Sequence, residues 1–259
     1  MQRAETTLGS GTQSRVVNGK KQNVLAGQEA RGYAKVLESF LTRAEMDYRT
    51  QLKACLRRKS VLRGVFELAS GQMSDYYIDC KLTTLDPEGA VLTAHAVLDH
   101  LEKNHIQADA IGGPPVGAHP IVAAVATVSY LRALEGKGKP LPAFLIREKP
   151  KAHGRKKQIE GIDVSRISKV VIVDEVCTTG KSTLEALDVV EKAGLRVVAV
   201  VSLVDRDQGG SQRITERGYK YIPIFQAKEL LEDTCEESGA YSETAQFTEA
   251  PITVNRGPS

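Results

Sequence analysis

One segment combines two carboxylates with a small, hydroxyl-rich loop, an arrangement that suits a sugar phosphate. The hydrophobic run 170–173 ends at Asp174 and Glu175, and a Thr-Thr-Gly-Lys-Ser loop follows over 178–182. The loop leads into a predicted helix, whose free backbone N–H groups and positive dipole end attract anions. Gly180 allows close approach to a ligand, and the hydroxyls add donors. We expect the acids to accept hydrogen bonds from ribose hydroxyls while the loop binds the 5′-phosphate.

The Gly-Lys-Ser triplet also fits the end of a nucleotide-binding P-loop, but one residue argues against that interpretation. A P-loop requires a glycine five positions before Gly180, and this chain has Glu175 there. Two carboxylates against a triphosphate would in addition repel it. An ordinary capped helix after a strand would explain the loop without any chemistry, yet it would leave two adjacent acids at the end of a buried strand without a purpose.

A second segment is strongly basic and suits a compact anionic ligand. Six Lys and Arg residues lie within 147–157, in a chain whose net charge is only +3. Arginine offers a planar fork of donors, lysine a mobile point charge, and His153 a proton near neutral pH. Together they would bind a compact anionic ligand. Taken alone, the run would be a solvated loop, and it gains a function only beside the acids and the loop of 174–182.

Composition argues against several classes of protein. Aromatic residues make up 5% of the chain, tryptophan is absent, and the basic residues cluster locally, so a compact anionic ligand is expected and nucleic acid is not. The longest apolar runs fall far short of the ~20 residues of a membrane-spanning helix. Four widely spaced cysteines without a CxxC pair suggest neither a zinc knuckle nor a disulfide framework. With no secretory signal apparent in the first 30 residues, we predict a cytoplasmic protein without membrane attachment.

Strands and helices alternate through the middle of the chain, which predicts an α/β domain with a parallel sheet. Continuous runs of Val, Ile and Leu are typical of strands that are covered on both faces. The predicted strands are 108–113, 142–148, 169–175 and 196–206, and the predicted helices are 87–103, 119–136 and 182–194. Ligands bind such sheets at the carboxyl ends of the strands. The segments that follow those ends are 112–118, 147–161, 174–182 and 205–210.

The two ends of the chain differ from its middle. Residues 1–32 lack hydrophobic periodicity and are predicted to form a flexible arm, and residues 233–259 a loose acidic tail. The folded domain is predicted to span 33–232. It begins with apolar residues at helical spacing over 33–59, and an alternating stretch over 65–83 predicts a strand, a turn and a strand.

Several segments resemble known sequence signatures. Residues 174–182 resemble the ribose-phosphate signature of type I phosphoribosyltransferases, two acids followed by T-T-G-x-S. Residues 147–161 resemble the catalytic loop of orotate phosphoribosyltransferases, R-x-K-x-K-x-H-G with a closing I-E-G. Residues 66–83 resemble that family's F-x-L-x-S-G-x-x-S-x-Y-Y-x-D strand pair, and 204–210 resemble its D-R-x-x-G-G turn. Because these segments follow the family's order, the chain is identified as a member of the orotate phosphoribosyltransferases.

The resemblance implies a fold and a reaction. The expected fold is that of the type I phosphoribosyltransferases, a central, mainly parallel sheet flanked by helices, with a small N-terminal hood. The expected reaction transfers the 5-phosphoribosyl group of 5-phosphoribosyl 1-diphosphate to orotate, in the biosynthesis of UMP. Mg²⁺ is expected as cofactor, held mainly by substrate and water, with no protein metal ligands. A homodimer with shared active sites is also implied, because the catalytic loop reaches the neighbouring subunit's site.

The resemblance also assigns roles to individual residues. Arg147, Lys151 and His153 are expected to be catalytic. Thr178 and Arg206 are expected to bind orotate, with the guanidinium paired to the orotate carboxylate. The residues expected to bind 5-phosphoribosyl 1-diphosphate are Arg147, Lys149, Lys151, His153, Asp174, Glu175, Val176, Cys177, Thr178, Thr179, Gly180, Lys181 and Ser182.

A few residues depart from the family pattern. Two prolines at 114–115 lie in the expected diphosphate loop. Proline lowers the cost of a cis peptide to about 0.5–1 kcal/mol, against about 2.5–4 kcal/mol for other residues, and it removes an amide donor. Glu148 replaces a lysine or small residue, Lys181 a small residue and Glu175 an aspartate. Nearby, His119 is expected to be a solvated or capping residue at the start of a helix.

Two alternatives remain open at this stage. The first is a phosphoribosyltransferase for another nucleobase, such as a purine, against which the catalytic-loop motif and the D-R-x-x-G-G turn argue. The second is a non-catalytic regulator that senses 5-phosphoribosyl 1-diphosphate and binds nucleic acid through the basic segment 1–33. A substrate panel discriminates the first, and salt-dependent nucleic-acid binding without turnover would favour the second.

Overall fold

The computed structural model describes residues 15–17, 20–22, 47–67, 73–149 and 158–232. The chain divides into two compact units, Met1–Tyr48 and Arg49–Ser259. In the first unit, strand β1 (Arg15–Val17) pairs antiparallel with β2 (Lys20–Gln22). The rest of the predicted arm, the first part of the helical lead-in and the predicted acidic tail lie outside the described residues.

The second unit is built from strands and helices that alternate along the chain. Its strands are β3 (Val61–Glu67), β4 (Met73–Ile78), β5 (Ala110–Gly113), β6 (Ala143–Ile146), β7 (Ile159–Glu160), β8 (Lys169–Cys177), β9 (Arg196–Asp205) and β10 (Phe225–Gln226). Its helices are α1 (Tyr48–Lys59), α2 (Lys81–Thr84), α3 (Pro87–Lys103), α4 (Ala118–Leu134), α5 (Lys181–Lys192), α6 (Gly210–Glu216) and α7 (Ala227–Leu231). The first residue of α1, Tyr48, is also the last residue of the first unit.

A six-stranded sheet lies at the centre of this unit. Its strand order is β10-β9-β8-β5-β6-β7, and every neighbouring pair is parallel except β6 and β7. The Val and Ile residues of 170–173 are fully buried, as expected for a strand covered on both faces. Phe144, Ile172, Leu187 and Val200 belong to one core cluster, which joins the sheet to α5. The predicted mainly parallel sheet with flanking helices is therefore present.

Helix boundaries follow local chemistry. Helix α3 begins as predicted, with the Asp86 carboxylate accepting a hydrogen bond from the Gly89 N–H at 3.1 Å and Pro87 in the first turn. Helix α5 ends before Gly194, whose φ of 78° is favourable only for glycine. Among the helices of the described residues, none has both the length and the apolar character that a bilayer span requires.

The hairpin β3–β4 corresponds to the predicted hood, although its boundaries differ from the expectation. The predicted strand, turn and strand cover 65–83, whereas β3 begins at Val61, β4 ends at Ile78 and Lys81–Thr84 form helix α2. The chain turns there because the Asp79 carboxylate accepts a hydrogen bond from the Lys81 N–H at 3.1 Å. A buried hydroxyl pair, Ser60 Oγ and Thr83 Oγ1 at 2.7 Å, then fixes the short helix against the start of the hairpin.

Strand β8 is longer than predicted. The prediction ended it at residue 175, whereas the strand continues through Cys177 because the neighbouring β9 is long enough to pair with Val176 and Cys177. The two acids therefore lie within the strand, shortly before its end. This placement buries both carboxylates, with Asp174 7% and Glu175 8% exposed.

Candidate active site

The carboxyl ends of four parallel strands bring the predicted site segments to one edge of the sheet. Strand β5 leads into 114–117, β6 into 147–149, β8 into 178–180 and β9 into 206–209. Because these strands lie side by side in the order β9-β8-β5-β6, the four segments are neighbours. We refer to this side of the molecule as the carboxyl edge.

Both carboxylate oxygens of Asp174 accept hydrogen bonds from groups of the protein itself. Its carboxylate accepts hydrogen bonds from the Glu175 N–H at 2.8 Å, from Ser182 Oγ at 3.0 Å and from Thr183 Oγ1 at 2.6 Å. Burial raises the pKa of Asp174, and these three donors oppose that rise. The contacts fix the first turn of α5 against β8. Sequence reasoning missed Thr183, although a hydroxyl one residue beyond the loop motif was a signal for it.

Glu175 has a different environment from its neighbour. Its Oε1 is buried and has no hydrogen-bond partner among the described residues, and it lies 3.6 Å from the Lys81 Nζ in an ion pair. A Cβ added at Gly117 would overlap Glu175 Oε2, so only glycine fits in the loop beside it. Burial raises the pKa of Glu175, and Lys81 opposes that rise. Glu175 is therefore the acid with an oxygen available to a ligand hydroxyl.

The loop 178–182, which we call the cradle, leads directly into a helix, as the sequence predicts. Gly180 has a φ of 73° and precedes the first residue of α5, so the backbone turns directly into the helix N-terminus. A cleft of about 290 Å³ lies against the cradle, and a second cleft of about 320 Å³ shares Ser182 and Glu185 with it. The second cleft is also lined by 114–116 and by Arg147, so space for an anionic ligand continues from the cradle toward β6.

Cys177 contributes to the site only through its backbone. Its thiol is buried in the core cluster, and burial raises its pKa to about 11. Its carbonyl accepts a hydrogen bond from the Arg206 N–H at 2.9 Å, which joins the ends of β8 and β9. Val176 is half-buried and lines the cradle cleft, and its contact with the ligand stays a prediction.

Arg206 has hydrogen-bond donors in its guanidinium group that no described residue accepts from. Its Nε and Nη2 are buried, and neither has a hydrogen-bond partner in the described parts of the chain. The guanidinium carbon lies 5.6 Å from the centre of the Tyr76 ring, which belongs to the hood. Nε and Nη2 form the edge of a guanidinium that binds a carboxylate with two parallel hydrogen bonds. The arrangement therefore offers a bidentate site for an anionic planar ligand.

Strands β6 and β7 hold the base of the basic loop. We call these two strands, together with residues 147–149 and 158, the loop stem. The Arg147 N–H donates to the Gln158 carbonyl at 2.8 Å, and Arg147 Nη1 lies 3.0 Å from Glu160 Oε1. Arg147 is 46% exposed, and both it and Glu148 line the larger cleft. Lys149 is exposed. Lys151 and His153 lie outside the described residues, so their positions stay a prediction.

The predicted diphosphate loop lies between β5 and α4. It contains a cis peptide bond between Pro115 and Val116, so the cis bond does not precede a proline. His119 differs from the expectation of a solvated or capping residue, because it is half-buried and its Nε2 lies 3.3 Å from the carbonyl oxygen of Ile146. It therefore joins the start of α4 to the end of β6.

Comparison with known proteins identifies the family. A model of the phosphoribosyl transferase domain matches residues 88–222. An orotate phosphoribosyltransferase of Bradyrhizobium diazoefficiens is 39% identical over 186 residues, which are 71% of this chain and 96% of that protein. The chain belongs to the orotate phosphoribosyltransferase family.

Solved structures of the family have the same fold. The orotate phosphoribosyltransferase of Mycobacterium tuberculosis, crystallised with Fe(III) dicitrate, is 30% identical and has a TM-score of 0.59, over 71% of this chain and 98% of that chain. A crystal structure from the same organism in complex with 5-phospho-alpha-D-ribosyl 1-diphosphate is 28% identical, with a TM-score of 0.57 over 71% of this chain and 99% of that chain. The predicted family, its fold class and its enzyme class, pentosyltransferase, are thereby confirmed.

Within this family fold, the structure adds residues to the predicted site. Tyr76 stacks near Arg206, Thr183 bonds Asp174 and Lys81 lies beside Glu175. Tyr76 was visible in the Y-Y-x-D motif, but its partner was not. Lys81 carried no signal, because only the folded chain brings the end of the hood next to β8.

Proposed function

We propose that the carboxyl edge transfers the 5-phosphoribosyl group from 5-phosphoribosyl 1-diphosphate to orotate, giving orotidine 5′-monophosphate and diphosphate. The observation that carries this proposal is the buried Nε–Nη2 edge of Arg206, which has no hydrogen-bond partner among the described residues. The bond from the Arg206 N–H to the Cys177 carbonyl brings this residue close in space to the cradle at 178–182. A carboxylate on a planar base satisfies that edge, whereas adenine and guanine have no carboxylate to offer.

The reaction displaces one group on the ribose by another. A ring N–H of orotate loses its proton, which the departing diphosphate or water takes up. The nitrogen forms a bond to C1 of the ribose with its electron pair, and the bond from C1 to the diphosphate oxygen breaks toward that oxygen. Positive charge therefore develops on the ribose and negative charge on the departing diphosphate. The Glu175 carboxylate accepts hydrogen bonds from the ribose hydroxyls and adds negative potential beside the cation. Asp174 acts with it by holding Ser182 and Thr183 in place for the 5′-phosphate.

The loop stem delivers positive charge to the leaving group. Arg147 lines the larger cleft while it is paired with Glu160, and both side chains are partly exposed, so the pair is weak and exchangeable. We infer that Arg147 exchanges Glu160 for the diphosphate, and that Lys149, Lys151 and His153 join it when substrate binds. Closure of the loop would also exclude water from the cationic sugar.

Mg²⁺ fits this edge as an ion held by substrate. Asp174 uses both carboxylate oxygens within the protein, and the Lys81 ammonium 3.6 Å from Glu175 Oε1 would repel a second cation there, so neither acid is arranged as a metal ligand. Diphosphate and water oxygens suit Mg²⁺, which keeps several waters when it binds. The ion would neutralise charge on the diphosphate, while Arg147 and the lysines of the loop orient that group.

A homodimer with shared sites is the arrangement we propose for the assembly. In that arrangement the loop after Arg147 serves the neighbouring site, while Arg206 serves its own. Mixing Arg206→Ala with Lys151→Ala protein, each much less active than wild type at an orotate concentration below its KM, should restore part of the activity, because a mixed dimer contains one site with both residues intact. No recovery after exchange of subunits, verified by mass spectrometry, would argue for self-contained sites.

One assay tests the activity itself. Orotate consumption, followed by its ultraviolet absorbance, should require both 5-phosphoribosyl 1-diphosphate and Mg²⁺ and should stop when a chelator is added. A panel of adenine, guanine, hypoxanthine and uracil should show no comparable turnover. Turnover of a purine, or nucleic-acid binding without any turnover, would replace the proposal with one of its alternatives. The cytoplasmic location stays a prediction that rests on the composition of the chain.

A further inference from the structure

Lys81 lies between the hood and the acid pair. It is the first residue of α2, directly after the hairpin, and its Nζ is 2.8 Å from Asp79 Oδ1 and 3.6 Å from Glu175 Oε1. The Asp79 carboxylate also accepts the Lys81 backbone N–H, so it fixes both ends of the lysine. The Lys81 ammonium is thereby aimed at a carboxylate on β8, a strand far away in the sequence.

Among the described residues, Lys81 is the one positive charge that acts on Glu175. The other charged groups that act on it there are the carboxyls of Asp79 and Asp174, and Cys80 beside them is a fully buried thiol. Gly117 packs against the other carboxylate oxygen and brings no charge. A buried carboxylate next to two acids would tend to take up a proton, and one cation opposes that tendency.

We propose that Lys81 is a positioning residue for the phosphoribosyl transfer: its ammonium keeps Glu175 ionised and directs Oε1 toward the ribose hydroxyls, without contacting the substrate. The inference rests on the proposed role of Glu175 in the reaction. In this proposal Lys81, which follows the hood hairpin, has a role in ribose binding. The contact between the hood and the sheet is therefore part of the site.

The geometry distinguishes this role from direct binding of diphosphate. The Lys81 Nζ is already engaged by two carboxylates, and Asp79 holds it at hydrogen-bond distance. If Lys81 bound diphosphate directly, its removal would lower the affinity for substrate at every pH. A lysine that acts through Glu175 would matter mainly where Glu175 can take up a proton, because loss of the cation raises the pKa of that carboxyl.

The test is the pH profile of kcat/KM for 5-phosphoribosyl 1-diphosphate, measured for wild type, Lys81→Met and Lys81→Arg. Lys81→Met should move the acid limb upward by about one pH unit, giving about tenfold lower kcat/KM below the limb and less than about threefold at the alkaline plateau. Lys81→Arg should restore the wild-type limb, because it keeps the charge. Lys192→Met, at the exposed end of α5, is the matched control and should match wild type.

A double substitution shows whether Lys81 acts through Glu175. In a Glu175→Gln background position 175 has no carboxyl for Lys81 to keep ionised, so adding Lys81→Met should change binding of 5-phosphoribosyl 1-diphosphate by less than about twofold, measured by calorimetry at about pH 6 and 8. The proposal is overturned if Lys81→Met leaves the acid limb of the pH profile where it is in wild type. It is also overturned if Lys81→Met lowers binding as much in the Glu175→Gln background as it does alone. If the wild-type protein binds 5-phosphoribosyl 1-diphosphate but consumes no orotate, the proposed function is contradicted. The calorimetric comparison then still tests the role of Lys81.

Discussion

The segment β8–α5 and the loop stem lie at the same edge of the sheet but are built in opposite ways. In β8–α5 the carboxylate of Asp174 is buried and accepts three hydrogen bonds from the protein. In the stem, Arg147 and Glu160 form a partly exposed ion pair. The difference indicates that β8–α5, the proposed sugar-phosphate side, is assembled before substrate arrives. In the stem, the proposed leaving-group side, weakly paired charges can change partners at little cost.

The largest effect is expected from Lys151→Ala, which removes a charge that the stem delivers. Turnover should fall about a hundredfold or more, because a preorganised cation facing a developing anion contributes most in the transition state. The control is Lys139→Ala, an exposed lysine before the amino end of β6, which should leave kcat unchanged. Equal kcat for Lys151→Ala and wild type would break the comparison, since the stem would then supply no catalytic charge.

Arg206→Ala tests a charge on the preassembled side. The KM for orotate should rise about 30-fold, whereas the KM for 5-phosphoribosyl 1-diphosphate should stay within about twofold, because only the carboxylate partner is lost. Arg206→Lys should recover little, since an ammonium cannot form two parallel hydrogen bonds. Arg196→Ala, at the other end of the same strand, serves as the control. Equal increases in both KM values would contradict the assignment of Arg206 to the base.

Thr183→Val measures how strongly the buried side is held together. The substitution keeps the shape of the side chain and removes its 2.6 Å hydrogen bond to the Asp174 carboxylate, so the free energy of unfolding should fall by about 2 kcal/mol in urea titrations. Thr93→Val is a matched control, because the Thr93 hydroxyl is also buried but has no partner among the described residues. Thr93→Val should therefore cause no loss of stability. A smaller loss for Thr183 than for Thr93 would reverse this reasoning.

The smallest effect is expected from Glu160→Gln in the stem. The Arg147–Glu160 pair is partly exposed, with side-chain exposures of 46% and 35%, so its removal should change the free energy of unfolding by less than about 1 kcal/mol. Urea titrations run beside Thr183→Val give the comparison directly. A loss for Glu160→Gln as large as that for Thr183→Val would mean that the stem is as firmly built as β8–α5.

Local patterns predicted the main alternating strands and helices of the sheet domain and where the candidate site segments lie along the chain. The Val and Ile runs predicted β8 and β9, the Asp86–Pro87 pair predicted the start of α3, and the loop at 178–182 was placed correctly at the start of a helix. These features depend on neighbours within a few residues, so they can be read along the chain. The end of β8 was missed because the length of β9, a separate strand, decides how far the pairing continues.

The sequence by itself determined which chemistry this protein carries: two adjacent acids, an anion cradle, a cationic loop and an arginine at the end of a strand. Only the tertiary structure decided how the two acids differ, with Asp174 bonded within the protein and Glu175 left with an oxygen beside Lys81. It also placed Tyr76 of the hood near Arg206. The physical reason is that burial and charge depend on what surrounds a side chain in space, and those neighbours come from strands that are distant along the chain.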